Sequence, residues 1–267
     1  MHRYAAAPHA PPLFRRRPVL SALPGGLLGA RHGAAPARVV ALHGWRRTGA
    51  DFDRVLTGLD AAAPDLPGFG ASPAPDGPWG SADYATALLP LCQEGAPVVL
   101  VGHSFGGRVA VMLASAHPDV VAALVLTGTP LWRPGGAASP RPPLGYRAVR
   151  GLHRLGLISE RQMEERRRRS GSEDYRAATG VVRDVLVRAI SETNDGTYRR
   201  ALVDVRCPIE LVWGEHDTAA PPAVAEEAAG AIRGARLTIV PGVGHLTPTE
   251  APGELRAAIE GMLGGST

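Results

Sequence analysis

The stretch VVLVGHSFGGRVAVMLA, residues Val98–Ala114, places one serine between an apolar run and a helix-forming run. Gly102, Ser104 and Gly106 form a G-x-S-x-G pattern, and a strand before it with a helix after it is the context in which this pattern makes a tight nucleophile turn. Larger flanking side chains would collide with the adjoining strand or helix. The pattern predicts Ser104 as a nucleophile whose oxyanion receives the backbone N–H of Phe105.

The hydroxyl of Ser104 is a weak nucleophile in water, so it needs a base and an acid that orients the base. LVWGEHD ends a predicted strand with Asp217, and PGVGHL places His245 just after the next strand. Serine, acid and histidine follow each other in the order that strand–turn–helix hydrolases use. We therefore predict that His245 takes the serine proton and that Asp217 holds the imidazole. Glu215 as the acid and His216 as the base remain alternatives.

Three further polar residues near these motifs have structural interpretations. His43, in HGW, is predicted to shape a loop, and His103 is predicted to pack beneath the nucleophile. Asp65, in DLPGFG, is predicted to form a turn.

Strand-like and helix-like segments alternate from Arg38 to about residue 130, and again from about residue 206. This alternation predicts an α/β protein with a mostly parallel sheet covered by helices on both faces. The segment 131–205 is helical in pattern and contains a capping box at Ser159 and Gln162. We therefore expect a hydrolase-like core over 19–130 and 206–267, with 131–205 inserted as a helical cap over the strand ends. Residues 1–18 are rich in Pro and Ala without periodicity and are predicted to form a disordered tail.

Composition narrows the classes of function. The formal net charge is +4 and the chain has 29 basic residues, all arginine, which a GC-rich genome explains. Because aromatic residues make up only 5% and charge is not clustered with them, nucleic-acid binding is not expected. No apolar run approaches the ~20 residues of a membrane span. Cys92 and Cys207 lie far apart, which favours a reduced, cytoplasmic protein. No cofactor or metal site is predicted, and the oligomeric state stays open.

The motifs HGW, DLPGFGAS, GHSFGG, WGEHD and GVGHL occur in this order, and with them the chain from about Val39 to Leu263 resembles the α/β-hydrolase-fold proteins. The resemblance implies an eight-stranded, mostly parallel sheet with a helical cap. It also implies that Trp45 donates the second N–H of the oxyanion hole and that the acid stands at Asp217. The stretch VLSALPGGLLGARHG departs from the well-marked pair of antiparallel strands with which such proteins usually begin.

Three hypotheses for the function follow. The first is a serine hydrolase of small-molecule esters, thioesters or lactones. The second keeps the same three residues for carbon–carbon bond hydrolysis, perhydrolase or haloperoxidase-like chemistry, or lyase chemistry. The third is a ligand-binding protein without catalysis, which would have no need of all three residues.

The segment 131–205 also carries apolar positions at helical spacing, which predict an acyl-binding wall at the mouth of the pocket with the arginines outward. These positions are Leu144, Val149, Leu152, Leu155, Val182, Leu186 and Ile190. Glu164 and Glu165 each precede an arginine by four residues, Arg168 and Arg169, which predicts ion pairs on a solvated helix. The alternative is that these arginines attract an acidic substrate.

Overall fold

The computed structural model describes residues 19–133, 144–170 and 173–265, and these contain one eight-stranded sheet. Its strands are β1 Leu20–Leu23, β2 Leu27–His32, β3 Val39–Leu42, β4 Ala61–Asp65, β5 Val98–His103, β6 Val121–Thr127, β7 Ile209–Gly214 and β8 Arg236–Val240. Their spatial order is β1-β2-β4-β3-β5-β6-β7-β8. The pairs from β4 to β8 are all parallel, whereas β2 runs antiparallel to both of its neighbours. The predicted fold class is confirmed.

The stretch VLSALPGGLLGARHG, which lacks the usual well-marked pair of strands in the sequence, nevertheless begins the sheet. β1 and β2 form an antiparallel hairpin in which Leu20 pairs with Ala30 and Leu23 with Leu27. The turn between them contains Gly25 and Gly26, at φ of 81° and 73°. Glycine adopts these positive φ values without steric cost, so two short strands can reverse direction here. The Pro-Gly-Gly interruption of the apolar pattern is therefore the turn of the hairpin.

Helices cover both faces of the sheet. They are α1 Asp53–Leu56, α2 Ser81–Glu94, α3 Phe105–Ala116, α4 Leu144–Arg154, α5 Glu160–Ser170, α6 Glu173–Ala177, α7 Gly180–Asn194, α8 Thr197–Asp204, α9 Pro222–Ala231, α10 Thr247–Glu250 and α11 Pro252–Gly264. Side chains alternate across β3: Val40 and Leu42 pack with α2, α3, α8 and α9, whereas Val39 and Ala41 pack with α1 and α11. The period-two alternation of a strand thus produces two separate apolar layers.

Five helices, α4–α8, follow β6 and precede β7. The capping box predicted at the start of α5 is confirmed, because Ser159 N–H donates to Gln162 Oε1 (3.0 Å) and Gln162 N–H donates to Ser159 Oγ (3.3 Å). The last helix, α8, buries Tyr198 and Leu202 in the same apolar layer as α3. The limits of the cap stay a prediction, and the predicted tail, 1–18, lies outside the described residues.

The carboxyl ends of β5, β6 and β7 lie side by side at one edge of the sheet, because these strands are parallel neighbours. The polar residues that follow them are thereby brought towards one another. In the described part of the chain, no helix has the length and apolar character needed to cross a membrane.

Candidate active site

Ser104 occupies the turn between β5 and α3, at φ 52° and ψ −113°. This is a backbone region that residues with a side chain rarely adopt, and it needs support from its surroundings. Two main-chain hydrogen bonds supply that support: Ser104 N–H donates to Thr127 O (3.0 Å), and Gly106 N–H donates to His43 O (3.1 Å). The turn is therefore tied to the ends of β6 and β3 on either side.

The glycines around Ser104 are required by close approach of the backbone. A Cβ atom on Gly102 would lie 2.4 Å from the Cα of Gly107, and one on Gly106 would lie 2.3 Å from the oxygen of Leu42. Real Cβ atoms do not come this close to backbone atoms. The crowding expected from the sequence is thus confirmed.

His245 lies between Ser104 and Asp217. Its Nδ1–H donates to Asp217 Oδ2 (2.8 Å), because a carboxylate can only accept a hydrogen bond. Its Nε2 is 3.1 Å from Ser104 Oγ and can accept the serine proton. The three residues form one continuous series of hydrogen bonds, although Ser104 lies 141 positions before His245 in the chain and Asp217 lies 28 positions before it.

The carboxylate of Asp217 is completely buried and is held from its second oxygen. Asp217 Oδ1 accepts hydrogen bonds from the backbone N–H groups of Ala219 (2.9 Å) and Ala220 (2.8 Å). The two alternatives lie elsewhere: Glu215 accepts from the N–H of Gly242 (2.9 Å), and His216 is exposed beside Glu215. The carboxylate that contacts His245 is that of Asp217.

The two other histidines near the motifs have buried structural roles, as predicted. His43 Nδ1–H donates to Gly44 O (2.8 Å), and its Nε2 accepts from the N–H of Leu66 (2.9 Å). His103 is enclosed beneath the site, where its Nε2–H donates to His245 O (2.8 Å). Burial lowers the pKa of both rings, to about 4 for His103, so both are neutral at pH 7.

Asp65 closes the DLPGFG loop, as expected for a turn-forming residue. Its Oδ1 accepts from Gly49 N–H (2.8 Å) and its Oδ2 from Ala71 N–H (2.9 Å).

The backbone N–H groups of Trp45 and Phe105 stand free beside Ser104. Both residues line the cavity that contains Ser104 and His245. Among the described residues, neither N–H donates a hydrogen bond to the protein. Their side chains meet edge to face, with ring centroids 5.4 Å apart. Their role as the two donors of an oxyanion hole stays a prediction.

The cavity beside Ser104 measures about 320 Å³, and α7 contributes Leu186 and Ile190 to its lining. These two positions of the predicted wall are in place. The expectation is wrong for α4, because neither Leu152 nor Leu155 lines this cavity and Leu155 is 75% exposed. The side chain of Leu144 lies outside the described residues, as do those of Arg168 and Arg169. Glu164 contacts Tyr175 and Arg183 across the helices, and the predicted ion pairs to Arg168 and Arg169 stay a prediction.

Two arginines in the lining were not singled out from the sequence. Arg47 follows the HGW motif and makes a two-pronged ion pair with Asp51, with both N–O distances at 2.6 Å. Arg108 lies four residues after Ser104 in α3. The available signal was the spacing, since a helical residue four positions on lies over the same face. Among the described residues, no three His, Cys, Asp or Glu side chains are grouped to hold a metal ion.

Comparison with known proteins identifies the family. A family model described as the alpha/beta hydrolase family matches residues 39–258. The chain belongs to the alpha/beta hydrolase family. This hydrolase is 34% identical over 252 residues to a pimeloyl-[acyl-carrier protein] methyl ester esterase of Aromatoleum aromaticum, covering 85% of this chain and 98% of that one.

Two further comparisons agree with the assignment. The hydrolase is 48% identical to the lipase LipV of Mycobacterium tuberculosis over 98 residues, or 35% of this chain and 37% of LipV. A solved structure of a lipase-like protein, lip1 of Acinetobacter baumannii, superposes with a TM-score of 0.68 at 18% identity, covering 94% and 92% of the two chains, which shows the shared fold. The predicted enzyme class is confirmed, since the relatives are esterases and lipases: the protein is a carboxylesterase-like hydrolase.

Proposed function

We propose that this hydrolase cleaves a small-molecule carboxylic ester through an acyl-enzyme, with Ser104 as the nucleophile, His245 as the base and Asp217 as the acid. The observation that carries the proposal is the pair of hydrogen bonds at His245, 3.1 Å to Ser104 Oγ and 2.8 Å to Asp217 Oδ2. Nucleophile, base and orienting acid in hydrogen-bond contact are the arrangement that activates a serine.

In the first half of the reaction, Ser104 Oγ attacks the ester carbonyl while its proton passes to His245 Nε2. The negative charge that develops on the carbonyl oxygen is stabilised by the N–H groups of Trp45 and Phe105. The tetrahedral intermediate collapses, its carbon–oxygen bond to the alcohol breaks, and His245 returns the proton to the leaving alcohol. The acyl group then remains on Ser104.

In the second half, His245 takes a proton from water, and the hydroxide attacks the acyl carbonyl. Collapse of this intermediate releases the acid and returns the proton to Ser104. Asp217 keeps the Nδ1 proton of His245 in place and stabilises the imidazolium that forms twice in each cycle. The two backbone N–H groups on Asp217 Oδ1 fix the direction of the other oxygen.

Several features favour esters over the alternative reactions. The relatives over most of the chain are named as esterases, and LipV as a lipase. A serine hydrolase involved in carbazole degradation and a meta-cleavage product hydrolase also share the fold, but at 20% and 17% identity this likeness supports the fold alone. A protein that only binds its ligand would not require the hydrogen bond between Ser104 and His245.

The segment 131–205 is proposed as the cap that forms one wall of the substrate cavity, through Leu186 and Ile190 of α7. The methyl ester of pimeloyl-acyl-carrier protein, named for the relative in Aromatoleum aromaticum, is one substrate to test. The thiols of Cys92 and Cys207 are free, in keeping with the proposed cytoplasmic location.

Labelling with a fluorophosphonate, followed by peptide mass spectrometry, tests the nucleophile. We expect a single adduct on Ser104, no labelling of Ser104→Ala, and unchanged labelling of the control Ser115→Ala, a serine later in α3. A panel of p-nitrophenyl esters, lactones, vinylogous diketones and the pimeloyl methyl ester then separates the reactions. An adduct on another serine, or faster turnover of the diketones than of every ester, would contradict the proposal.

A further inference from the structure

Arg108 lies one helical turn beyond the nucleophile, facing the same cavity. Its backbone N–H donates to the oxygen of Ser104 (3.3 Å), which closes the first turn of α3. Its side chain lines the cavity of Ser104 and also an adjoining cavity of about 290 Å³ that extends towards Trp132 and Val224. Arg108 therefore borders both cavities.

The side chain of Arg108 is held in place by a hydrogen bond from Nε and by the aromatic ring of Tyr198. Nε–H donates to Pro130 O (3.1 Å), and Cζ lies 5.5 Å from the ring centroid of Tyr198. The two Nη nitrogens make no hydrogen bond or ion pair with any residue that the structure describes. Neither Nη atom is completely enclosed by protein. The outer edge of the guanidinium is thus open to the cavities.

No carboxylate of the residues that the structure describes contacts the guanidinium of Arg108. Glu192 exerts an attraction from a distance, but its Oε2 accepts from Tyr198 (2.7 Å) and from the N–H of Ser81 (3.2 Å). Burial lowers the pKa of Arg108, although a guanidinium remains charged at every physiological pH. A partly buried cation without a partner is costly, and the first turn of a helix, with its positive dipole end, adds repulsion.

The arginine and the aspartate that line the cavity of Ser104 beside Arg108 have partners of opposite charge. Arg47 pairs with Asp51, and Asp174 lies 3.6 Å from Arg46. In the adjoining cavity, Arg133 Nε–H donates to Asn194 Oδ1 (3.0 Å). Arg108 differs from Arg47 because no carboxylate of the described residues contacts its guanidinium.

We propose that Arg108 is an anion subsite that binds a carboxylate of the substrate with its two Nη groups, so that the preferred substrates are esters that also carry a carboxylate. The inference rests on the proposed function, since it assumes that Ser104 attacks the ester. Two parallel N–H donors on a planar group match the two oxygens of a carboxylate. The apolar residues Leu186, Ile190 and Pro130 line the same cavity, and an apolar surrounding strengthens an ion pair.

The test compares matched esters with and without the charge. Monomethyl glutarate carries the carboxylate on the acyl side, O-butyryl glycolate carries it on the alcohol side, and methyl pentanoate and ethyl butyrate are the neutral counterparts. We expect wild-type kcat/KM to be about tenfold or more higher for one of the charged esters than for its neutral partner, mainly through a lower KM. The pair that shows the preference identifies the side of the substrate.

Arg108→Gln is expected to lower kcat/KM for the preferred charged ester by about 30-fold or more, as loss of one partner of a buried charge pair does elsewhere, while the neutral ester changes less than about threefold. Arg108→Lys should retain part of the preference. The control Arg54→Gln removes one charge from an exposed position on α1, on the opposite face of the sheet, and should leave the preference unchanged.

A binding measurement on the wild type keeps the inference testable if Arg108→Gln does not fold. Glutarate should inhibit hydrolysis of the neutral ester competitively and more strongly than the uncharged glutaramide. Equal inhibition by glutarate and glutaramide, equal rates on charged and neutral esters, or an equal loss on both in Arg108→Gln would overturn the subsite. Each of these results leaves fluorophosphonate labelling of Ser104 intact, whereas failure of the proposed function would abolish that labelling in the wild type.

Discussion

His103 Nε2–H donates a hydrogen bond of 2.8 Å to the main-chain oxygen of His245, and the two imidazole rings lie 4.9 Å apart. The residue before the nucleophile therefore holds the backbone of the residue proposed as the base. His103 is the last residue of β5, and His245 lies in the loop after β8. This hydrogen bond therefore fixes the position of that loop relative to the turn that carries Ser104.

The neutral form of His103 makes stability depend on pH. Burial lowers the pKa of His103 from 6.5 to about 4. Between these two pH values the unfolded chain binds a proton at His103, whereas the folded protein does not. The contribution of His103 is therefore complete above pH 6.5 and is lost as the pH falls towards 4, with a total on the order of 3 kcal/mol. Urea unfolding of the wild type and of His103→Gln, at pH 7 and pH 4.5, measures the difference. Gln keeps an N–H donor but does not titrate, so equal pH dependence in the two proteins would contradict this account.

Asp217→Asn is expected to reduce kcat steeply, by about 10³- to 10⁴-fold, because an amide no longer enforces the Nδ1–H form of His245 or stabilises the imidazolium. The fold should persist, since the remaining oxygen can still accept from Ala219 and Ala220. Glu215→Gln is the matched control and should leave kcat within about threefold. Steady-state rates on one p-nitrophenyl ester decide the assignment, and a larger loss in Glu215→Gln would reverse it.

Gly102→Ala is expected to destabilise the protein by about 3 kcal/mol, because its Cβ would lie 2.4 Å from the Cα of Gly107 and strand and helix would have to separate. Gly261→Ala in α11 is the control, since its Cβ would meet no atom within 4 Å. That variant should be neutral or more stable by up to about 1 kcal/mol. Thermal unfolding measures the difference in stability between the two variants. Similar unfolding midpoints would show that a Cβ atom on residue 102 can be accommodated.

Ile190→Trp is expected to shift acyl-chain preference towards short esters, because the larger ring enters the cavity lined by α7. The ratio of kcat/KM for an octanoyl ester to that for an acetyl ester should fall about tenfold. Leu155→Trp, on the exposed side of α4, should leave the ratio unchanged. An unchanged ratio in Ile190→Trp as well would show that α7 does not limit the acyl site.

The sequence predicted the turn and the helix cap because each depends on residues that are close together in the chain. The turn at Ser104 follows from glycines within three residues of it, and the capping box at Ser159 and Gln162 lies within one helical turn. The strand–helix alternation predicted the sheet in the same way. The hairpin of β1 and β2 stayed open in the sequence because Gly25 and Gly26 interrupt the apolar pattern that marks a strand.

Only the tertiary structure decided which side chains meet. Leu155 and Leu186 have the same helical spacing in the sequence, yet one is exposed and the other reaches the cavity, since the packing of their helices sets the direction of each. Arg47 and Arg108 look alike in the chain, but Asp51 pairs with the first and no described carboxylate contacts the second. Sequence determines periodicity and turn chemistry through local sterics, whereas the pairing of a charge depends on contacts between distant segments that form only when the chain has folded.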